Sequence, residues 1–301
     1  TGVQTCALPI LRQFDNYLCS LPQNTTELTK EIVLEWTKRK SFEATSTQLG
    51  RISLMRGLAE YMSRMGKKAY ICPKSLVTVN RYSYTPYIFS KKEIASIFYA
   101  CDNFPASKES PNRQIILSLV IRMIYGCGLR ISDAVNLTIS DVNLNEGTIF
   151  IKDTKFGKER LIPMADTLKK RCREYSILVL TGKSDTSYFF PSPFGGHYKS
   201  NTIYGLFRKV LWAAGISHTG KGPRLHDMRH TYAVHCLKKW ALANRDMTNC
   251  MPYLSAYLGH EDLRGSQRYL RLTADLYPDI TSKVEKNCSW LIPEVNWHET
   301  Y

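Results

Sequence analysis

The densest group of side chains that could do chemistry is RLHDMRH, at residues 224–230, where two histidines lie one helical turn apart. Such a pair can bind zinc, but zinc-hydrolase helices place Glu directly after the first histidine, and here Asp227 follows His226. Arg229 would also repel a divalent cation. A phosphate fits better, because positions 226 and 229 share one helix face and can converge on an anion. His230 is one position off that face, and we expect it to be a packing or supporting residue.

The overall charge also favours an anionic partner. Lys and Arg total 41 against 26 Asp and Glu, which gives a formal net charge of +15. Such an excess attracts polyanions, and nucleic acid is the leading candidate. With 301 residues, of which 44% are hydrophobic, the chain can bury one or two ordinary cores. We therefore expect a globular protein of two domains that binds nucleic acid.

Cysteine usage and hydropathy narrow the class further. The nine cysteines are scattered and never spaced as CxxC, which indicates reduced thiols in a cytoplasmic protein rather than a disulfide framework or a thiolate zinc cluster. The longest apolar run, IILSLVIRMIYG, is interrupted by Arg122 and is too short to span a bilayer. The first ten residues have no basic region of a signal peptide and no clear periodicity, so we assign them neither to a leader nor to the fold.

Hydrophobic periodicity predicts two units. The first, at residues 11–80, is helical and rich in Lys and Arg. A basic stretch with two prolines, at residues 66–86, has no helical period, and we interpret it as a linker that lies along an anionic surface.

The second unit is predicted over residues 87–301. Between residues 142 and 164 the period becomes that of short strands joined by glycine-containing turns, which predicts a small antiparallel sheet. The fold class is therefore mainly α with one small antiparallel β-sheet. Helices are predicted at 90–100, 113–125, 165–180, 201–214, 226–240, 252–258 and 266–272.

Four segments of the second unit resemble the tyrosine recombinases of the phage-integrase and Xer type. They are GCGLRISDAVNL from residue 126, TKFGKERLIPM from residue 154, RLHDMRHTYAVH from residue 224 and LSAYLGHEDLRGSQRYLRLT from residue 254. Each is a weak signal alone, but four in the family's order and spacing are specific. The resemblance covers residues 87–280, whereas the helical first unit matches only in kind. It implies a SAM-like core-binding domain followed by a recombinase catalytic domain.

The resemblance assigns cations to a scissile DNA phosphate. Arg130 and Arg229 match the two arginines that hold its non-bridging oxygens and stabilise the pentacoordinate transition state. Lys155 matches the hairpin lysine that protonates the departing 5′ oxygen, and Lys158 is its rival in the same hairpin. Asp133 matches an acidic position that orients a catalytic neighbour.

The remaining positions supply proton transfer and the nucleophile. His226 matches a general base or acid, and His260 a hydrogen-bond donor to the phosphate. Tyr269 follows His260 at the family's spacing for the nucleophile. The other tyrosines of this region are expected to be packing residues: Tyr253, Tyr257 and Tyr277.

These assignments imply a site-specific recombinase or integrase that forms a covalent 3′-phosphotyrosine intermediate. It would use no cofactor and no metal ion, because cationic side chains stabilise the charge. Its partners would be double-stranded DNA and, on two recombination sites, three more copies of the chain, with no membrane involved. Residues 280–301 are apolar enough to dock on a neighbouring copy or on their own chain. An unusual insert at residues 243–251 and the long tail favour an integrase of a mobile element.

Three other classes compete with this interpretation. A metallohydrolase would lose activity in EDTA, and a type IB topoisomerase would relax supercoiled DNA without exchanging strands between sites. A DNA-binding relative without activity is the third, and the presence of all six catalytic positions counts against it.

Overall fold

The structure is a computed structural model that describes residues 2–21, 27–78, 85–152, 159–220, 222–260 and 264–276. The chain divides into two compact units, Thr1–Thr85 and Pro86–Tyr301. This division falls between the two predicted domains. No helix in the described ranges is long and apolar enough to cross a membrane.

The described part of the first unit contains the α-helices α1 (Gly2–Cys19), α2 (Lys30–Thr37) and α3 (Thr45–Arg64), followed by a short 3-10 helix (Lys74–Leu76). The opening residues were predicted to lie outside the fold, and this was wrong, because α1 begins at Gly2 and Ile10 packs against the core. The short first turn carries no charge pattern that would have signalled a helix. The core is built from the apolar faces of the helices, with Phe14, Val33, Trp36, Ile52 and Met55 buried.

One arginine of this basic unit is structural. The side chain of Arg51 is only 4% exposed and pairs with the Glu43 carboxylate through Nε, at 2.8 Å, and Nη2, at 2.7 Å. It also donates to the backbone oxygens of Trp36 and Lys38. Because a buried guanidinium is costly unless its donors are satisfied, these bonds tie α3 to the end of α2. The charge of Arg51 is therefore not available to a ligand.

The second unit confirms the predicted fold class, which is mainly helical with one small antiparallel sheet. Its elements in order are α4 (Lys91–Asp102), α5 (Arg113–Gly126), α6 (Ile131–Val135), β1 (Val142–Asn143), β2 (Thr148–Ile151), β3 (Arg160–Pro163), α7 (Asp166–Tyr175), α8 (Ser200–Ala213), α9 (Leu225–Leu242), α10 (Met247–Leu258) and α11 (Arg264–Leu276).

Sequence signals at helix ends account for several of these boundaries. Ser90 caps α4, because its Oγ accepts a bond from the Glu93 backbone N–H and the Glu93 carboxylate accepts one from the Ser90 backbone N–H. The middle of α5 is buried on all sides, which explains its continuous apolar run. α10 begins at Met247 rather than at the predicted residue 252, since Asp246 caps it and Pro252 lies inside it.

The sheet has the order β1-β2-β3, and both pairs are antiparallel, as predicted. Ile149 of β2 lies opposite Val142 on one side and Ile162 on the other, so the three side chains share one face and enter the core. Arg160 pairs with Ile151 at the end of the β2–β3 ladder. Residues 153–158, which include Lys155 and Lys158, lie outside the described residues.

The core of the second unit depends on complete burial of α5. Ile121→Ala removes a side chain that is 0% exposed and should lower the free energy of unfolding of this unit by about 2 to 5 kcal/mol. Ile177→Ala, at a position that is 72% exposed, should change it by less than about 0.5 kcal/mol. Hydrogen exchange of the α5 amides in increasing urea measures the free energy of unfolding of both variants. Equal losses in the two variants would contradict the assignment of α5 to the core.

Candidate active site

The first turn of α9 sets the positions of the two histidines and Arg229. Asp227 is 1% exposed, and its carboxylate accepts a 2.7 Å bond from the Arg224 backbone N–H. The acid beside the first histidine therefore caps the helix. Along the same helix, His226, Arg229 and His230 lie one turn apart or less. Among the described residues there is no group of three or more His, Cys, Asp or Glu arranged to hold a metal ion.

Arg229 is the buried cation of the site. It is 1% exposed, and its Nη1 and Nη2 donate to the backbone oxygens of Gly128, at 2.6 Å, and Leu258, at 2.5 Å. Burial lowers the pKa of Arg229 to about 10, so the guanidinium remains charged at neutral pH. One carbonyl from the loop after α5 and one from the last residue of α10 thus fix the orientation of the guanidinium.

Glycine at position 128 makes this arrangement possible. Its φ is +58°, which favours glycine, and a Cβ there would lie 2.7 Å from Leu258 Cδ2 and 2.8 Å from Tyr232 Cδ1. The loop after α5 can therefore approach both α9 and the end of α10. This close approach brings the Gly128 and Leu258 carbonyls to the same guanidinium.

Arg130 lies on the more open side of the site. Its Nη2 donates to the Gly259 backbone oxygen at 3.1 Å, and its side chain is 21% exposed. Asp133 Oδ2 lies 3.8 Å from Arg130 Nη1 and also accepts a 2.6 Å bond from Arg160 Nη2. Arg160 was not among the predicted site residues. The sequence carried a signal only in its position, just after the predicted lysine hairpin.

Tyr269 projects from α11 into this group of cations and imidazoles. It is 2% exposed, and its hydroxyl lies 3.0 Å from His230 Nδ1. The His260 ring stacks on the Tyr269 ring with centroids 5.8 Å apart, and His260 Nδ1 lies 2.8 Å from Ser266 Oγ. Burial raises the pKa of Tyr269, and the guanidinium of Arg229 opposes that rise. The phenol is therefore protonated at neutral pH.

Two neighbouring imidazoles are neutral at pH 7. Burial, followed by the charges of His226 and Arg268, lowers the pKa of His230 to about 3. Partial burial of its ring, and then the charges of Arg229 and Arg130, lower the pKa of His226 to about 4, although the residue as a whole is exposed. The two rings lie perpendicular, 4.7 Å apart. A neutral His230 can accept the hydrogen bond of the Tyr269 hydroxyl.

The structure thus brings together six of the seven predicted site residues. Lys155, like its rival Lys158, lies outside the described residues. His230, expected to be a packing or supporting residue, is the imidazole in hydrogen-bond contact with the tyrosine, and this contact between α9 and α11 has no signal in the sequence. The residues that gather are Arg130, Asp133, His226, Arg229, His260 and Tyr269.

Comparison with known proteins identifies the family. The model of the phage integrase family matches residues 88–275, which include every described site residue. The chain belongs to this family. It is thus a tyrosine-type site-specific recombinase, and the resemblance of its four sequence segments is confirmed.

Individual relatives agree with this assignment. The chain is 30% identical over 277 residues to a protein of Sinorhizobium fredii named integrase/recombinase y4rB, covering 87% of this chain and 86% of the relative. In fold it is similar to the XerH site-specific recombinase bound to a palindromic difH substrate, with a TM-score of 0.66, 21% identity and coverage of 91% and 77%. It is also similar to a transposon integrase in complex with transposon right-end DNA, with a TM-score of 0.63, 16% identity and coverage of 92% and 94%.

The depressed pKa of His230 predicts acid sensitivity. An unfolded histidine binds a proton below about pH 6.5, whereas His230 in the folded chain does so only near pH 3. The unfolded state therefore binds more protons between these values, and stability falls as pH falls through this window. His230→Asn should make the decline in the free energy of unfolding between about pH 6.5 and 4 shallower than in the wild type.

Denaturant titrations at several pH values measure this difference. The carboxylates titrate in both proteins, so the difference between the two slopes reports the contribution of His230. Tyr253→Phe, at a position that is 76% exposed, should keep the wild-type slope. An unchanged slope in His230→Asn would show that the imidazole gains its proton in the folded chain as readily as in the unfolded one.

Proposed function

We propose that this recombinase cuts one DNA strand by attack of the Tyr269 hydroxyl on a scissile phosphate. The phosphorus–oxygen bond to the 5′ oxygen breaks, which leaves a 3′-phosphotyrosyl enzyme and a free 5′ hydroxyl. A 5′ hydroxyl from a second strand then attacks the phosphotyrosine, forms a new phosphodiester and returns the phenol. The proposal rests on one observation: the Tyr269 hydroxyl lies 3.0 Å from His230 inside a group of arginine and histidine side chains.

Ionising the phenol is the first requirement of this reaction. A free tyrosine has a pKa near 10, so its ionisation at pH 7 costs about 4 kcal/mol. Burial adds to this cost in the DNA-free chain, while Arg229 and Arg130 reduce it. A bound phosphate brings negative charge, which favours a protonated imidazole, and His230 is placed to take the proton. His226 lies next in line, with its ring 4.7 Å from that of His230.

The charge that develops on the phosphate requires preorganised donors. Arg229 is held by two carbonyls before DNA arrives, and Arg130 is partly exposed beside it. We assign both guanidinium groups to the non-bridging oxygens, with His260 as a further donor. Cations of this kind can stabilise the transition state without a metal ion. By resemblance, Lys155 protonates the departing 5′ oxygen, and Lys158 is the alternative.

The net charge of +15 supports double-stranded DNA as the partner. We assign the helical first unit to core-site binding and the second unit to catalysis. Strand exchange between two sites requires four active copies, so we propose a homotetramer. The similar transposon integrase, whose complex contains transposon end DNA, supports a role in moving a mobile element. No observation favours a second function.

Tyr269→Phe tests the nucleophile. On a nicked suicide duplex carrying the chain's own flanking DNA, the wild type should accumulate a covalent adduct, because the cut strand loses the 5′ hydroxyl needed for rejoining. The variant has no hydroxyl and should form none. Denaturing gel electrophoresis followed by peptide mapping measures the adduct.

Tyr253→Phe is the matched control, since it removes a hydroxyl from an exposed tyrosine on the neighbouring α10. It should form the wild-type amount of adduct. Adduct formation by Tyr269→Phe at the wild-type level would refute the nucleophile assignment.

Arg130→Ala tests the phosphate contact. Loss of one transition-state donor should slow single-turnover cleavage by about 10²- to 10³-fold. The defect should shrink on a duplex whose scissile phosphate is replaced by a methylphosphonate, because one non-bridging oxygen and its negative charge are absent there. An equal defect on both duplexes would contradict the assigned contact.

A further inference from the structure

We propose that Arg160 is a positioning residue of the active site, which fixes Asp133, and through it Arg130, and supports the turn at Gly259 that precedes His260. This inference rests on the proposed function. It is drawn from the contacts of a guanidinium that the family resemblance did not assign to the site.

Arg160 lies on the core-facing side of β3, largely shielded from solvent. It begins this short strand two residues before the buried Ile162, and its side chain is only 9% exposed. It directs its charge inward to the Asp133 carboxylate, with Nη2 2.6 Å from Oδ2. The Asp133 side chain is 8% exposed, so both partners of this ion pair are largely shielded from solvent. Such a pair adds little net stability compared with apolar residues of similar volume. A role in positioning the site therefore explains the pair better than a role in stability.

The same carboxylate oxygen connects Arg160 to Arg130. Asp133 Oδ2 lies 3.4 Å from the Arg130 backbone nitrogen and 3.8 Å from its Nη1. Without Arg160, the carboxylate would remain buried with Arg130 as its nearest cation. The Arg130 guanidinium would then be drawn toward Asp133 and away from the phosphate.

Arg160 also supports the turn at Gly259, which binds Arg130 and precedes His260. A Cβ on Gly259 would lie 2.6 Å from Arg160 Nη1 and 3.0 Å from its Cζ, so the guanidinium fills the space beside this glycine. The Gly259 oxygen accepts the bond from Arg130 Nη2, and His260 is the next residue. Arg160 and Arg130 therefore contact the same residue of the turn.

The rest of the guanidinium acts through its charge. Its Nε and Nη1 are buried and have no hydrogen-bond partner among the described residues. These atoms are closed to solvent, so they do not offer a direct contact to DNA. Its positive charge nevertheless acts on Arg229: the charges of Arg130 and Arg160 both help to lower the pKa of Arg229. Arg160 thus acts on the phosphate through its neighbours.

The test compares Arg160→Met with Arg160→Lys in the full chain. Arg160→Met keeps the volume and removes the charge, and it should slow single-turnover cleavage of the suicide duplex by about 10- to 100-fold, as expected for a small misplacement of catalytic groups. Its affinity for uncleaved duplex should stay within about twofold, because Arg160 does not touch DNA. Arg160→Lys retains charge without the planar fork and should be intermediate.

A double mutant separates positioning from a general loss of structure. In Arg160→Met/Asp133→Asn no unpaired buried charge remains, so cleavage should be faster than the product of the two single defects predicts. Arg173→Met is the control, since this exposed arginine on α7 bonds only to the Leu144 backbone oxygen in the described chain and should leave cleavage unchanged.

Two outcomes overturn the inference while leaving the proposed function intact. One is cleavage by Arg160→Met within about twofold of the wild type, and the other is a double mutant whose defect equals the product of the single defects. If Arg160→Met is unfolded by circular dichroism, the rate of Arg160→Lys decides, and a wild-type rate overturns the inference. Failure of the wild type itself to form a Tyr269-dependent adduct overturns the proposed function.

Discussion

The arrangement of the site depends on one buried positive charge. Arg229 is almost completely removed from water, and a buried cation is tolerated only where hydrogen bonds replace its hydration. Two backbone oxygens do this, from Gly128 in the loop after α5 and from Leu258 at the end of α10. The loop before α6, the first turn of α9 and the turn after α10 must therefore meet at this guanidinium. These three elements carry Arg130, His226 and His260, and so position them in the site.

The pKa values of the histidines and the tyrosine depend on the same buried charge. Burial beside a fixed cation lowers the pKa of His230 and raises that of the Tyr269 phenol, and the charges of Arg229 and Arg130 help to lower the pKa of the more exposed His226. In the proposed reaction, the proton that must leave the phenol therefore stays on the tyrosine until DNA binds. The DNA phosphate would then supply the opposite charge, favour protonated imidazoles and be stabilised in turn by the arginines. Binding of the substrate and activation of the nucleophile are coupled in this account.

Much of this could be predicted from the sequence, because the signals were local or recurrent. Ser90 with Glu93 defines a cap, the alternation at residues 142–164 defines strands, and the continuous apolar run of α5 predicts burial. The start of α1 at Gly2 was missed, since the first turn lacks charge patterning. α6 is five residues long, too short for periodicity to reveal.

The site was harder to predict where side chains meet across elements. Family spacing selected Tyr269 among 18 tyrosines, which composition could not do. The contact between His230 and Tyr269 joins residues 39 positions apart, and Arg160 meets Asp133 at a separation of 27. Only packing brings such pairs together, and the helix face alone pointed to His226 rather than His230. The hairpin lysine stays a prediction.

The central claim is that Arg130 and Arg229 hold a single phosphate against Tyr269, and a vanadate complex tests it most directly. Vanadate with a DNA duplex that is nicked at the cleavage site and lacks the scissile phosphate should form a pentacoordinate centre, whose structure can be determined. The account predicts vanadium bonded to Tyr269 Oη and to the 5′ oxygen, with both guanidinium groups about 3 Å from its equatorial oxygens. Arg229 should keep its bonds to Gly128 and Leu258. Vanadium bonded to another residue, or equatorial oxygens with neither arginine beside them, would contradict it.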